Sequence, residues 1–222
     1  KAHQKVILDL QPDMCANPFP LVALGSLLDI LGAKAFQWPG GALPPDLPYQ
    51  YVEKEYMRQE EYDDFLFDPT DFMVRKFLPR VYGALEPLKQ LPYLPSIYYT
   101  RFLSGISPLG DPELAEAGES LLEAGKIAQQ MVTRASSYAG KMKSLGFPPQ
   151  FGATAYAPFD YIGDLLRGTR GIFLDMFRVP EKLQEALDKT VTIVTQGAMA
   201  SCKATGVPTV FMPLHKGIDS MM

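Results

Sequence analysis

Apolar positions recur along this chain with more than one period, and glycine and proline cut the pattern wherever the period changes. Val6 to Leu10 is a short β-branched and aliphatic run, which predicts a strand stopped by Pro12 and the Asn17-Pro18 pair. Leu21, Leu24, Leu28 and Leu31 stand at helical spacing, and Gly32 supplies a left-handed stop for that helix. Lys34 to Trp38 then reads as a buried strand, and Pro39 to Pro48, rich in Pro and Gly, as a loop at that strand's end. Glu53 to Phe67 and Phe72 to Leu78 predict two short helices, with Asp or Thr of Asp68-Pro69-Thr70-Asp71 capping the second. Glu86 to Pro112 shows no clear period, whereas Glu113 to Leu145 changes to Ala, Glu, Leu, Lys and Gln without Pro and predicts one long helix. The last third predicts a strand over Gly152 to Ala157, helices over Pro158 to Leu166, Gly171 to Phe177 and Glu181 to Ala204, and a strand over Thr209 to Leu214. Strand, helix and strand in that order form the crossover unit of a parallel sheet, so the pattern predicts an α/β fold.

Length and charge narrow the function. The 222 residues suit one domain, and 21 basic against 25 acidic residues, interleaved to a net charge of −4, offer no surface for a run of phosphates. Nucleic acid is therefore not an expected partner. The longest apolar runs fall short of the roughly 20 residues that cross a bilayer, so no membrane segment is expected. Cys15 and Cys202 belong to no closely spaced metal or disulfide pattern, which fits a reducing, cytoplasmic setting. The chain opens on Lys1 and closes on Asp219-Ser220-Met221-Met222 just after a predicted strand, so both ends read as cut.

In parallel α/β architectures the reacting groups gather at the carboxyl ends of strands. That rule selects Gln37 and Trp38 after one predicted strand, Asp160, Tyr161 and Asp164 after another, and His215, Lys216 and Asp219 after the last. His215, Asp164 and Lys216 are the catalytic candidates; Trp38, Gln37, Asp160, Tyr161 and Asp219 are candidates for substrate contact. His215 suits a base or a ligand, or else a hydrogen-bonded supporting histidine. Asp160 and Asp164, four apart, fall on one helix face, although Asp160 equally suits the first turn, where its charge favours the helix dipole. Arg167, Arg170 and Arg178 suit carboxylate binding or ion pairs around Asp175. His215, Lys216, Asp164 and Trp38 are expected to approach one pocket. The absence of GxGxxG, Walker, GxSxG and HExxH motifs withholds support from dinucleotide, nucleoside triphosphate, serine hydrolase and zincin readings.

The stretch Phe151 to Leu187, with Ala157-Pro158-Phe159, Gly168, Asp175 and Pro180-Glu181-Lys182, resembles the uroporphyrinogen decarboxylase superfamily. Glu61 to Arg80 and Val210 to Met222 look like its branch grouped with corrinoid methyltransferases. The resemblance implies a (β/α)8 TIM barrel, of which residues 1–222 form the N-terminal and central part of a single domain. The C-terminal units are expected outside this chain. It also departs from the decarboxylases: no arginine-rich opening stands here, Asp164 replaces a Tyr, and Gln37-Trp38 stand where an Asp is usual. The resemblance therefore implies an enzyme, a corrinoid (cobalamin)-dependent methyltransferase moving a methyl group between methylcobalamin and a small acceptor or donor. Its alternatives are uroporphyrinogen decarboxylase, a lyase of porphyrin biosynthesis, or a non-catalytic tetrapyrrole-binding module. His215, followed by Lys216 and Gly217, does not match the methyltransferase branch's His-x-Cys zinc motif, so any zinc ligands would lie beyond Met222. Expected partners are a small-molecule substrate, a corrinoid protein, and the remainder of the polypeptide or a homodimer to complete the fold.

Overall fold

A computed structural model of the chain describes residues 2–15 and 24–216. Ala2–Leu10 is helix α1, so the first predicted strand is corrected to helix. A five-residue apolar run cannot distinguish the two by period alone, and here only Ile7 is buried while Val6, Leu8 and Leu10 are exposed. Helix α2, Gly25–Leu31, ends as expected at Gly32, whose φ of 60° is left-handed. Strand β1, Phe36–Gln37, pairs antiparallel with β2, Gln50–Tyr51, so the Pro- and Gly-rich loop closes a small hairpin-like unit.

From there the chain is drawn across the molecule before it turns helical. Val52 donates its N–H to Ala35 O at 2.8 Å, and Tyr56 and Met57 both donate to Leu166 O at 2.8 Å. That tether is why the helix predicted from Glu53 begins only with α3, Tyr62–Phe67, after the 3₁₀ turn Gln59–Glu61. Asp68 caps the next helix by accepting the Thr70 and Asp71 N–H groups, and α4, Pro69–Phe72, a π-helical turn Met73–Phe77 and α5, Leu78–Val81, run on from it. Short 3₁₀ turns and α6, Phe102–Ile106, lead to α7, Pro112–Ser144, capped by the Asp111 carboxylate. Thirty-three residues at about 1.5 Å rise make it about 50 Å long. Strand β3, Ala153–Thr154, is followed by α8, Pro158–Asp160, a π-helical segment Tyr161–Arg167, α9, Gly168–Arg178, α10, Pro180–Thr205, and β4, Val210–Phe211.

The principal core lies where α3, α4, the Tyr161–Arg167 segment, α9 and the first half of α10 meet. Met57, Tyr62, Phe65, Phe72, Ile162, Leu166, Ile172, Leu183 and Ala186 are buried there. A second cluster holds the start of α7 through Leu114, Ala117 and Ala124 against Leu31, Leu85 and Leu88. A third packs Met142, near its other end, with Ile7, Cys15 and Phe147.

The (β/α)8 TIM barrel is overturned. The structure is 69% helical, and among the described residues strand is confined to two separate two-stranded pairs. A barrel needs eight strands joined into one closed sheet. The predicted strands fail to extend because their flanks cannot pair: Pro39 follows β1, Pro158 follows the β3 segment, and Pro208 and Pro213 bracket β4, each without an N–H to donate. The crossover itself is present in miniature, since β3 and β4 are parallel with Ala153 opposite Val210 and Thr154 opposite Phe211.

Candidate functional site

The chain from Pro158 to Arg167 starts as an α-helix, because Pro158 fits the first turn, and then widens into a π-helix. Such segments recur at functional sites because the extra residue per turn re-aims side chains. Here Ile162 and Leu166 enter the principal core while Asp160 and Asp164 turn toward the residues after β4. Gly168, at φ 68° and ψ 165°, ends the segment in a conformation open essentially only to glycine.

Asp160 is fully buried, and its carboxylate accepts the N–H of His215 at 2.8 Å and of Lys216 at 2.5 Å. This pins the backbone of the last described residues. Asp164 then receives both side chains: the Lys216 ammonium donates to Oδ1, and His215 Nδ1 lies 3.1 Å from Oδ2. Lys216 reaches a second carboxylate, Glu53 Oε1, at 3.2 Å, and the same oxygen accepts the Thr169 N–H at 3.0 Å and hydroxyl at 2.6 Å. Burial alone would lower the Lys216 pKa, but Asp164 and Glu53 outweigh it and raise the pKa, so the ammonium stays charged. For Glu53 burial pushes upward, and Thr169 and Lys216 together hold it below the usual carboxylate range. Gly163 leaves room for the lysine stem, since a Cβ there would stand 2.9 Å from Lys216 Cδ.

Beside this cluster opens a cleft of about 330 Å³, whose walls include Phe36, Tyr49, Tyr51, Tyr156 and Leu214. Phe36 and Tyr51 lie 5.2 Å apart by ring centroid, and the Tyr51 hydroxyl donates to the Asp164 carbonyl at 2.5 Å. Burial raises the pKa of both the Tyr51 and Tyr156 phenols, with Tyr56 and then Asp164 adding to it at Tyr51 and Asp164 at Tyr156, so both stay protonated.

The structure thus brings His215, Lys216, Asp164 and Asp160 together and leaves other candidates outside. Trp38 lies against Gly25 and Gly41, where an added Cβ would clash with its ring, and it does not line the cleft. Gln37 is exposed and pairs with Gln50 across the β1–β2 ladder. Tyr161 packs against the principal core. Asp219 lies outside the described residues. Arg167 forms a buried pair with Asp175, Nε to Oδ2 at 2.5 Å, to which the Tyr62 hydroxyl donates at 2.8 Å, while Arg170 and Arg178 are exposed. Sequence reasoning missed Glu53 and the tyrosines. Their signal is the alternation of Tyr49, Tyr51 and Glu53, which a period of two puts on one side of an extended segment.

With this geometry in hand, comparison with family models, with curated proteins and with solved structures finds no match. The likeness to uroporphyrinogen decarboxylases rests on the quoted motifs alone. Among the described residues no group of three or more His, Cys, Asp or Glu side chains is arranged to hold a metal ion. Among them, too, no helix is long and apolar enough to cross a membrane.

Proposed function

We propose that the cleft is an enzymatic small-molecule site at which His215 exchanges a proton with the bound ligand. The observation behind this reading is how His215 is seated. Its backbone is held by Asp160, its Nδ1 faces Asp164, and its side chain is 71% exposed at the cleft mouth. A ring that gives its Nδ1–H to a carboxylate presents the Nε2 lone pair outward, which is the arrangement of a general base oriented by an acid. In this reading Asp164 is the positioning residue, and Lys216 offsets its charge and ties it to Glu53.

The volume bounds the ligand. Small-molecule sites span roughly 300–1,000 Å³, so this cleft accepts a compact metabolite. A corrin or porphyrinogen macrocycle with its side arms exceeds that space. A small methyl acceptor or donor does fit, so the methyl-transfer reading survives for the small substrate only, resting on the resemblance.

Chemical labelling tests the acid–base reading. Small metabolites that raise the melting temperature are asked whether they slow carbethoxylation of His215 by diethyl pyrocarbonate without protecting His3, the chain's other histidine. Protection is expected, with turnover of the protecting compound falling about 10²- to 10⁴-fold in His215→Ala. Hits that all bind while His215 labels at its free rate would falsify it.

A further inference from the structure

The walls of the cleft carry information about the ligand's charge that the proton-transfer reading does not use. Three of the wall residues, Tyr49, Tyr51 and Tyr156, keep 42%, 37% and 39% of their surface exposed although they stand side by side around one cavity. Phe36 joins them, 6.4 Å from Tyr49 and 5.2 Å from Tyr51 by ring centroid. An aromatic ring that turns its face to an open cavity presents the negative side of its quadrupole to whatever enters, and Phe36 is tilted by 41° and 60° against Tyr49 and Tyr51, so the rings offer a cation several orientations.

The charges on the same lining add to that field. Glu53 and Asp164 stand against Lys216 alone among its lysines and carboxylates, and the buried Asp160 lies directly behind. Lys216 is already engaged by both lining carboxylates and is only 4% exposed, so it offers no free ammonium to an anionic ligand.

We infer that the cleft bordered by Phe36, Tyr49, Tyr51, Tyr156, Glu53 and Asp164 binds a compact organic ammonium, its cationic head held against the tyrosine rings. The inference rests on the small-molecule reading of this cleft and specifies its ligand. Cation–π attraction on several rings at once is the general means of recognising methylated ammonium groups, and Glu53, whose side chain is 40% exposed at the mouth, adds the steering charge. A neutral ligand of the same shape gains the apolar contact without the electrostatic one.

The test compares choline with its uncharged carbon isostere, in which a tert-butyl group replaces trimethylammonium. Both are titrated into the whole chain while tyrosine side-chain resonances are followed by NMR. The expected result is saturable movement of the Tyr49, Tyr51 and Tyr156 signals, with choline bound about tenfold or more tighter than the isostere. Tyr49→Leu, at a half-exposed position, is expected to remove most of that preference with the melting temperature held; Glu53→Gln is expected to weaken choline and leave the isostere unchanged. Equal binding of the two compounds, no binding of either, or a preference unaltered in a folded Tyr49→Leu variant overturns the inference. If a neutral or anionic metabolite protects His215 while choline fails to bind, the ammonium inference alone fails. If choline binds and no turned-over ligand ever protects His215, the proton-transfer reading alone fails.

Discussion

At the scale of single residues, buried charges decide how this protein responds to substitution and to acid. Arg167 and Asp175 are both almost wholly buried, and each satisfies the other together with Tyr62 and the Met57 carbonyl. Asp175→Asn leaves the buried guanidinium only the half-exposed Glu55 carboxylate, 3.4 Å away, as counter-charge, and a loss approaching about 3–5 kcal/mol in urea unfolding is expected. Glu61 behaves differently because its effect depends on pH. Burial would raise its pKa, but the Arg80 fork, with both oxygens at 2.7 Å, the Arg58 N–H and the Lys76 ammonium bring it down from 4.5 to about 2. A carboxyl depressed in the folded state stabilises fully above its unfolded pKa, and the gain disappears as pH falls through the folded value. The contribution is on the order of 3 kcal/mol at neutral pH and is lost between about pH 4.5 and 2. Denaturant titrations across that window should show the slope in the native chain and lose most of it in Glu61→Gln; an unchanged slope would exclude Glu61 as its source.

At the scale of elements, the π-helical segment Tyr161–Arg167 is the part that sequence periodicity could not show. Apolar spacing over Pro158 to Leu166 correctly predicts a helix there, because Ile162 and Leu166 point to one core. The same spacing is silent on whether hydrogen bonds close at four residues or five, and the segment that carries Asp164 to Lys216 closes at five. Long helices were equally legible, α7 from its composition and α10 from Pro180 in its first turn, each within a residue or two. The strands were legible in place but not in length, since β1, β3 and β4 each pair only two residues inside a longer predicted run, while Val6 to Leu10 carries residues that suit a strand and coils instead. Half of the cleft was legible for a related reason. His215, Lys216, Asp160 and Asp164 stand out as chemistry-bearing residues near apparent strand ends, whereas Tyr49 and Tyr51 look like ordinary loop aromatics until the hairpin folds them inward. The crowding at Gly163 gives an element-level prediction: Gly163→Ala should cost about 1–3 kcal/mol by forcing the lysine stem aside. In a Lys216→Ala background most of that penalty should vanish. A penalty of equal size in both backgrounds would assign the strain to Ile172, which also lies 3.3 Å from the added carbon.

At the scale of the whole molecule, stability is unevenly spread. The principal core unites α3, α9 and the first half of α10, whereas the middle of α7 crosses between two smaller clusters with Leu122 and Val132 at 68% and 65% exposure. Hydrogen exchange should therefore be slowest around Ile162 to Ile172 and Leu183 to Thr190, and faster by orders of magnitude near the middle of α7. Equal protection in both regions would point to a partner lying along α7. The way Lys216 is held carries a further consequence for a chain made from its N-terminus onward. Glu53 and Asp164 emerge from the ribosome well before the lysine that balances them, and Asp160 waits some fifty-five residues for the amides it will bind. Until residue 216 is free, the nascent protein must bring two like charges together without their counter-ion, so the cleft closes last, and a ribosome stalled inside α10 would hold a core with an unfinished, self-repelling mouth.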